Sequence, residues 1–390
     1  MKLKLAALAL AAGLAGFGSA QAQDTVKIGV ILPYSGPFAD AATQMDNGIK
    51  LFMEQNGDTV AGKKIEIIRK DTGGIAPDVA KRLAQELVVR DGIDILAGFA
   101  LTPNALAAAD ISAEAEKFMV VMNAATSIIT TKSPYMVRVS VTTPLLNEAF
   151  GKWVYDSGLK EVYTLNSDYG PGNDAQAAFE RGFTEAGGKI VGADKMPVAN
   201  PDFAPFVQRV KDANPQGLWV FIPGGSMPAA LGKALAERGL TPETMQIMGQ
   251  GELTMESALE SMGDGAEGIV TAFHYDFNHQ SDKNAEFVKA YNALANRNPD
   301  IFSIGGYDGM HLIYEALKKT GGDAGGQALV DAAKGMAWES PRGPISIDPE
   351  TRDIIETVYI RRVEKSADGT LLNVEFDKIE NVKDPVKARM

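Results

Sequence analysis

Residues 93–109, IDILAGFALTPNALAAA, join a short apolar strand directly to the start of a helix. Thr102 followed by Pro103 is typical of an N-cap hydroxyl with proline at the first helical position, where no backbone N–H has to be given up. Such a start leaves free N–H groups and the positive end of the helix dipole at the carboxyl end of the strand. The stretch therefore predicts an α/β unit with a candidate anion site at its junction.

A second stretch, residues 118–127 (FMVVMNAATS), repeats this arrangement. An apolar run ends abruptly in small and hydroxyl residues, among them Thr126 and Ser127. Two such strand ends side by side would form a cradle for an anion, because ligands of open α/β sheets bind outside the carboxyl ends of the strands. Hydroxyl residues also cap ordinary helices, so a purely structural role is the alternative.

The body of the chain alternates apolar strands with amphipathic helices. One series runs from a strand at 26–32 to a strand at 118–122, and a second runs from 161–165 to 269–273. This alternation is typical of βαβ units and a parallel sheet. With 390 residues the chain is long enough for two cores, since single cores stop growing near about 250–300 residues. The predicted fold class is α/β, with two doubly wound, Rossmann-like lobes.

The last part of the chain is predicted to be helical first and then extended. Glycine pairs between periodic segments, such as Gly305-Gly306, are predicted to be helix caps and turns. The predicted elements are helices at 282–295, 306–319 and 326–334, then strands at 345–348 and 357–364 and a polar tail.

The first 22 residues have the pattern of a secretory signal peptide. Two lysines precede an apolar tract, and residues 20–22 (AQA) form a small-x-small cleavage site. The pattern predicts cleavage after Ala22 and a periplasmic mature chain. No later stretch approaches the roughly 18 uncharged residues of a spanning helix, so membrane insertion is not expected. The chain has no cysteine, which excludes a cysteine-linked lipid anchor and any disulfide.

Charge and motifs argue against nucleic-acid binding and catalysis. The formal net charge is −12, which is unlike that of a nucleic-acid-binding protein. Motifs for a nucleophile elbow, a zinc protease, a P-loop or a dinucleotide site are absent, and His274, His279 and His311 match no standard metal spacing. We therefore predict no enzyme activity, no cofactor and no metal. A secreted α/β enzyme is the alternative class, and it would need a nucleophile, base or metal at the strand ends.

The chain resembles the leucine/isoleucine/valine-type periplasmic substrate-binding proteins of ABC transporters in an ordered set of segments. These are VKIGVILPYSGPFA, ILAG…TPNALAAADI, NAAT, SDYGPG, GDGAEGI and Gly306-Tyr307-Asp308. The resemblance covers nearly the whole mature chain and implies the type I periplasmic binding protein fold. A ligand-sensing transcription factor can share this two-lobed core, but it would need a DNA-binding helix pair where this chain has a signal peptide.

The resemblance implies two lobes that are joined by three hinge crossings and close around a ligand. The crossings would lie near residues 139–143, 272–275 and 340–345. The lobes would then be an N-terminal lobe of residues 23–141 with 275–342 and a C-terminal lobe of residues 142–274 with 343–390.

Binding residues are carried over from the resemblance by position. It implies a carboxylate cradle made by Thr102, the backbone of Ala124 and Ala125, and the Thr126 hydroxyl. It also implies two pocket rings, Tyr169 from the opposite lobe and Tyr307.

The match to the family fails at three positions. The aromatic residue expected after Gly36-Pro37 falls on Ala41. The acidic residue that pairs with a ligand's ammonium falls on Gly251, with Glu252 next to it. The tyrosine expected after Gly224-Gly225 is replaced by Ser226 or Met227.

These departures favour an apolar or aromatic carboxylic acid as the ligand. The predicted function is a monomeric periplasmic receptor that delivers this small carboxylate to a membrane ABC permease. The alternative ligand is a branched-chain or other amino acid, with Glu252 reaching its ammonium.

Overall fold

The computed structural model describes residues 25–389, so the predicted signal peptide and its cleavage after Ala22 lie outside the described residues. The described chain folds into two sheets of mainly parallel strands, each covered by helices. The prediction of an α/β fold with two lobes is thereby confirmed. Within residues 25–389, no helix is both long enough and apolar enough to span a membrane.

The first sheet is doubly wound. Its strands are β1 (Thr25–Leu32), β2 (Thr59–Val60), β3 (Lys63–Asp71), β4 (Ile95–Gly98), β5 (Phe118–Val121) and β6 (Met136–Arg138). They lie in the order β2-β3-β1-β4-β5-β6, and only the β2–β3 pair is antiparallel. The connecting helices are α1 (Ala39–Asn56), α2 (Pro77–Glu86), which continues as a π-helical turn at Leu87–Asp91, and α3 (Thr102–Glu114).

Both faces of this sheet are buried, as the continuous apolar runs predicted. On β1, Ile28 and Val30 belong to one core, whereas Ile31 belongs to the other. On β4, Ile95 belongs to the same core as Ile28, and Leu96 belongs to the same core as Ile31. The strand order reverses between β1 and β4, so a ligand crevice is expected at the carboxyl ends of these two strands.

The second sheet repeats the doubly wound pattern. Its strands are β7 (Glu161–Ser167), β8 (Lys189–Met196), β9 (Gly217–Phe221), β10 (Gln246–Gln250), β11 (Val270–Phe273), β12 (Ala337–Ser340), β13 (Gly343–Ile347), β14 (Ile354–Lys365) and β15 (Leu371–Val382). The order is β12-β13-β14-β11-β10-β9-β7-β8, and β15 pairs with β14. The order of the parallel strands reverses between β7 and β9, so this sheet also offers a crevice at its strand ends.

Eight further helices complete the two lobes. Residues of α10, such as Met310 and Ile313, share a core with Ile28 of the first sheet. The helices are α4 (Thr143–Asp156), α5 (Gly170–Glu185), α6 (Ala204–Ala213), α7 (Met227–Ala236), α8 (Glu256–Met262), α9 (Asp282–Ala295), α10 (Ile301–Lys319) and α11 (Gly326–Ala333).

The glycine pair Gly305-Gly306 was wrongly predicted to be a turn. Both residues lie inside α10. A Cβ atom on Gly305 would lie 2.2 Å from the carbonyl oxygen of Met122, and one on Gly306 would lie 2.2 Å from that of Met45. These contacts are too close for any side chain. The glycines therefore allow α10 to pack directly against the chain after β5 and against α1.

Several other elements were not predicted, namely β2, β6, α4, α8, β12 and β15. Helix α4 begins after Thr142, whose hydroxyl accepts a hydrogen bond from the N–H of Leu145 at 3.1 Å. Strand β15 replaces the predicted polar tail, and its side chains are mostly exposed. Because β15 has few buried apolar positions, its sequence lacks the apolar pattern from which a strand is predicted.

A buried charge cluster lies where the chain segments that follow β6, β11 and β12 meet. The guanidinium of Arg342 donates to the carbonyl oxygen of Val139 at 2.9 Å and to Asp308 at 2.6 and 2.9 Å. It also lies 2.9 Å from Nδ1 of His274 and 3.3 Å from Glu356. We call Arg342, Asp308, His274 and Glu356 the crossing cluster. One guanidinium therefore joins the segments after β6, after β11 and after β12.

Strand pairing places β12 in the second sheet. The predicted division assigned residues 275–342 to the N-terminal lobe, so the third crossing enters the second sheet earlier than expected. The other boundaries of the two lobes stay predictions.

Candidate ligand-binding site

A cavity of about 130 Å³ lies between the two lobes, at the carboxyl ends of strands from both sheets. Its first-lobe wall follows β1, β4 and β5, and its second-lobe wall follows β7, β9 and β10. Both strand-order reversals therefore face the same space. The lining residues are Pro37, Phe38, Asp40, Ala41, Ile75, Ala100, Leu101, Thr102, Pro103, Asn123, Ala125, Thr143, Tyr169, Pro171, Phe221, Pro223, Gly224, Gly225, Glu252, Met255 and Phe302.

The Thr102 hydroxyl forms a polar end of this cavity, and the hydroxyl of Thr126, which is not a lining residue, contacts it. Oγ1 of Thr126 donates to Oγ1 of Thr102 at 3.2 Å. Thr102 was wrongly predicted to be the N-cap, because Leu101 occupies that position and Thr102 is the first residue of α3. The Thr102 hydroxyl is therefore not used to cap its own helix. The N-terminus of α3 lies at the same place and favours a negatively charged ligand group.

The backbone before this polar end is strained. Phe99 has a φ of +64°, in the left-handed region that residues with a Cβ seldom adopt. Its carbonyl oxygen accepts the N–H of Ala124 at 3.0 Å. The predicted use of the Ala124 N–H for a ligand is therefore not supported, since that N–H already has a partner. Ala125, by contrast, lines the cavity as predicted.

A buried arginine supports the loop that carries Ala125 and Thr126. Nη1 of Arg138 donates to the carbonyl oxygens of Ala124 at 3.1 Å and Thr126 at 2.7 Å. Its charge is balanced by Asp353 at 2.8 Å. This loop is thus held rigidly from beneath, which places the Thr126 hydroxyl without help from a ligand.

Aromatic rings form the opposite wall. Tyr169 follows β7, Phe221 ends β9, and their ring centroids are 6.1 Å apart. Burial raises the pKa of the Tyr169 phenol, and the charge of Glu252 raises it further. The lobes approach each other here, because a Cβ on Gly170 would lie 3.3 Å from Oγ1 of Thr126. A ligand held by the two threonines would therefore contact Tyr169.

Glu252, rather than residue 251, supplies the carboxyl group at this wall. A Cβ on Gly251 would lie 2.1 Å from the Phe273 ring, so no side chain fits there. Glu252 lines the cavity, and both its carboxylate oxygens accept from Nε2 of Gln250, at 3.0 and 2.9 Å. Burial raises the pKa of Glu252 to about 7, although Gln250 and the more distant Arg361 act in the opposite direction.

Besides Ala124 and Thr126, three further residues predicted for the site lie outside the cavity lining. Ser226 is exposed, and Met227 packs against the core beneath α7. Tyr307 packs between α10 and α1, where its hydroxyl donates to Gln55 at 2.7 Å and its ring meets Phe52 edge-on. The family resemblance assigned these three residues to the site, but their location depends on how the chain packs in three dimensions.

Several lining residues were missed by the sequence analysis, notably Phe38, Phe302, Met255 and Thr143. Phe302 lies in the first turn of α10, which is capped by Asp300 and Ser303 in a reciprocal capping box. That capping pattern is visible in the sequence and could have placed the helix start correctly. Ala41, which stands where the family has an aromatic residue, also lines the cavity.

The arrangement is suited to binding a small ligand. Among residues 25–389, no group of three or more histidine or acidic side chains could hold a metal ion. The cavity offers hydroxyl groups at one end, rings and aliphatic side chains along its walls, and one carboxyl group with a raised pKa. Such a site can orient a small, partly apolar anion.

A model of the periplasmic binding protein family matches residues 25–370. The chain belongs to this family. It is 44% identical over 386 residues to Leu/Ile/Val-binding protein homolog 6 of Brucella melitensis, with 98% of each chain covered. As the ordered sequence segments predicted, the protein is a periplasmic solute-binding protein of ABC transporters, and the family consists of transport proteins rather than enzymes.

Two solved structures resemble the whole described fold. One is a solute-binding protein from Rhodopseudomonas palustris BisB5 in complex with 3,4-dihydroxybenzoic acid, with 53% identity, a TM-score of 0.89 and coverage of 93% of this chain and 99% of that chain. The other is a solute-binding protein from R. palustris in complex with 4-hydroxybenzoate, with 38% identity, a TM-score of 0.89 and coverage of 94% and 100%.

Proposed function

We propose that this periplasmic binding protein captures an aromatic carboxylate and delivers it to a membrane ABC permease. The observation that supports the proposal is the cavity itself, a ring-lined space with the Thr102 hydroxyl at one end and the Thr126 hydroxyl in contact with it. A carboxylate can accept hydrogen bonds from these hydroxyls and from the N-terminus of α3. The two related structures that contain hydroxybenzoates support the same ligand class.

The walls favour a planar apolar body behind the carboxylate. Phe38, Phe221 and Phe302 line the cavity together with Tyr169. A buried aromatic ring removes some 150–250 Å² from water, which favours binding by roughly 4–6 kcal/mol before ordering costs. With the threonine contacts this supports micromolar affinity, which corresponds to about −8 kcal/mol.

An amino acid is the weaker candidate because of its ammonium group. A buried positive charge needs an ionised carboxylate close by. The family position for that carboxylate is Gly251, where the Phe273 ring excludes a side chain. Glu252 could take its place, but its raised pKa leaves a large fraction of it neutral near pH 7. The similar protein of Brucella melitensis is named a Leu/Ile/Val-binding protein homolog, so leucine, isoleucine and valine are the amino acids to compare.

A thermal-shift screen followed by titration calorimetry tests the proposal. Benzoate, 4-hydroxybenzoate, leucine and phenylalanine are compared on the mature protein at one pH. We expect the aromatic acids to raise the unfolding temperature and to bind more tightly than both amino acids. Tighter binding of leucine, lost in Glu252→Gln, would contradict the proposal and restore the amino-acid ligand.

The finer features of the receptor belong to the same proposal. We expect export with cleavage after Ala22, a monomer in solution, and closure of the two lobes around the ligand. Mass spectrometry of the exported chain tests the cleavage site, and light scattering tests the monomer. An N-terminus other than Gln23, or a dimer at micromolar concentration, would contradict these points.

A further inference from the structure

Thr143 has a buried hydroxyl group that the protein leaves without a partner. The residue is 1% exposed, and its Oγ1 has no hydrogen-bond partner among the described residues. It is the first residue of α4, and its backbone N–H donates to the carbonyl oxygen of Ala125 at 3.0 Å. Thr143 therefore lies beside the loop that carries Thr126, where it lines the ligand cavity.

Other buried hydroxyl and N–H groups without a partner, such as those of Ser140 and Trp219, do not line this cavity. Within the described chain, Thr143 alone combines an unpartnered, fully buried side-chain atom with a place in the cavity wall. Leaving such a group unpaired costs free energy, which a ligand can recover by pairing with it.

The backbone of Thr143 is also linked to Glu252, through two buried amides. Nδ2 of Asn147 donates to the carbonyl oxygen of Thr143 at 2.8 Å and to Oε1 of Gln250 at 2.5 Å. The amide of Gln250 in turn donates to the carboxyl group of Glu252. These contacts fix α4 and the end of β10 relative to each other. Thr143 and Glu252 thus present a hydroxyl and a carboxyl group to the same cavity in a fixed arrangement.

We infer that Thr143 and Glu252 together bind a hydroxyl group on the ring of the aromatic acid, so that the protein selects hydroxylated over unsubstituted rings. The inference rests on the proposed function. A ring hydroxyl can donate its proton to a carboxyl oxygen of Glu252 and accept a hydrogen bond from Oγ1 of Thr143. An unsubstituted ring would leave the Thr143 hydroxyl unpaired and would leave Glu252 with its contacts to Gln250 alone. Sites built to pair with a ligand hydroxyl discriminate strongly against the analogue that lacks it.

Titration calorimetry with benzoate, 3-hydroxybenzoate and 4-hydroxybenzoate tests the inference on the wild-type protein and on Thr143→Val. We expect the wild type to bind at least one hydroxybenzoate about tenfold more tightly than benzoate. Thr143→Val should lose most of this preference and keep its affinity for benzoate within about twofold. Thr143→Ser, which retains the hydroxyl, should restore the preference.

A ligand-side test needs no variant. The methyl ether of the preferred hydroxybenzoate cannot donate to Glu252, and it should bind the wild type no more tightly than benzoate does. Equal affinities for benzoate and both hydroxybenzoates, or an equal loss of all three in Thr143→Val, would overturn the inference and leave the proposed function intact. Failure of all three acids to bind the wild type would instead refute the proposed function.

Discussion

The crossing cluster and the ligand cavity are both buried polar regions, but they satisfy their polar groups differently. In the crossing cluster, Arg342 contacts two carboxylates, a histidine nitrogen and a backbone oxygen. In the cavity, the hydroxyls of Thr102 and Thr126 contact each other, and that of Thr143 has no partner within the described chain. Among the described residues, Nε2 of His274 and Oε1 of Glu356 in the crossing cluster also lack a partner. Its charges, however, are paired with each other through Arg342, whereas the described part of the cavity has no ion pair around its free hydroxyl group.

This difference separates groups that stabilise the fold from groups that bind the ligand. Removal of one partner from a buried ion pair leaves an uncompensated charge and destabilises the protein. Removal of a cavity hydroxyl leaves no buried charge uncompensated, so it should weaken binding and change stability little. Variants in the crossing cluster should therefore lose stability, whereas variants in the cavity should lose affinity for the ligand.

The largest effect is expected from Arg342→Met in the crossing cluster. This change leaves Asp308 buried without its cation, so the free energy of unfolding should fall by about 3–5 kcal/mol. Urea unfolding of the ligand-free protein measures this change. The control is Arg82→Met, which removes an exposed pair with Glu86 and should cost less than about 1 kcal/mol. If the two variants lower the free energy of unfolding equally, the buried ion pairs of the crossing cluster have no special role in stability.

Thr126→Val is expected to show the reverse pattern. A hydrogen bond to a charged group is worth roughly 1.5–3 kcal/mol, so the dissociation constant for an aromatic acid should rise by about 10- to 100-fold. The temperature of unfolding without ligand should change little. Thr131→Val is the matched control, because Thr131 is exposed and does not line the cavity. An unchanged dissociation constant in Thr126→Val would show that Thr126 does not bind the ligand.

A smaller effect is expected from pH. The pKa of Glu252 is raised to about 7, so the group changes from mainly neutral to mainly ionised between pH 6 and pH 8. A benzoate adds a second negative charge to the cavity and should bind the neutral form better, so its affinity should fall severalfold, and at most about tenfold, as the pH rises. Glu252→Gln should abolish this change.

The groups facing Glu252 that could share this titration are Tyr169 and Arg361. Burial raises the pKa of Tyr169, which keeps the phenol neutral over this pH range, and Arg361 stays charged. Calorimetry at pH 6, 7 and 8 measures the effect. An affinity that rises with pH would indicate a ligand ammonium that needs ionised Glu252.

The smallest change is expected in overall shape. The cavity wall includes Thr102 from one lobe and Tyr169 from the other, so a bound ligand should favour the closed arrangement. Small-angle scattering should give a smaller radius of gyration with saturating ligand than without it. Identical scattering curves would count against closure.

The sequence predicted the lobes and the polar end of the cavity because these depend on local patterns. Apolar runs revealed β1 and β4, and the Thr102-Pro103 pair marked the junction with α3. Thr126 was found through its hydroxyl-rich loop. Each of these signals lies within a few residues of the feature it predicts.

The remaining features could not be predicted because they depend on long-range contacts. The exclusion of a side chain at Gly251 becomes visible only when Phe273 is packed against it. Thr143 marks the site through an unpartnered atom, which sequence does not show. The roles of Gly305 and Gly306 depend on carbonyl groups from distant strands and helices.

A crystal structure with bound 4-hydroxybenzoate would show which groups the ligand pairs with. We expect the carboxylate within hydrogen-bonding distance of the Thr102 and Thr126 hydroxyls, with the ring against Tyr169. We also expect the crossing cluster around Arg342 to keep its contacts unchanged. A carboxylate bound elsewhere, or one that contacts Arg342, would contradict the division between a self-paired cluster and a cavity completed by its ligand.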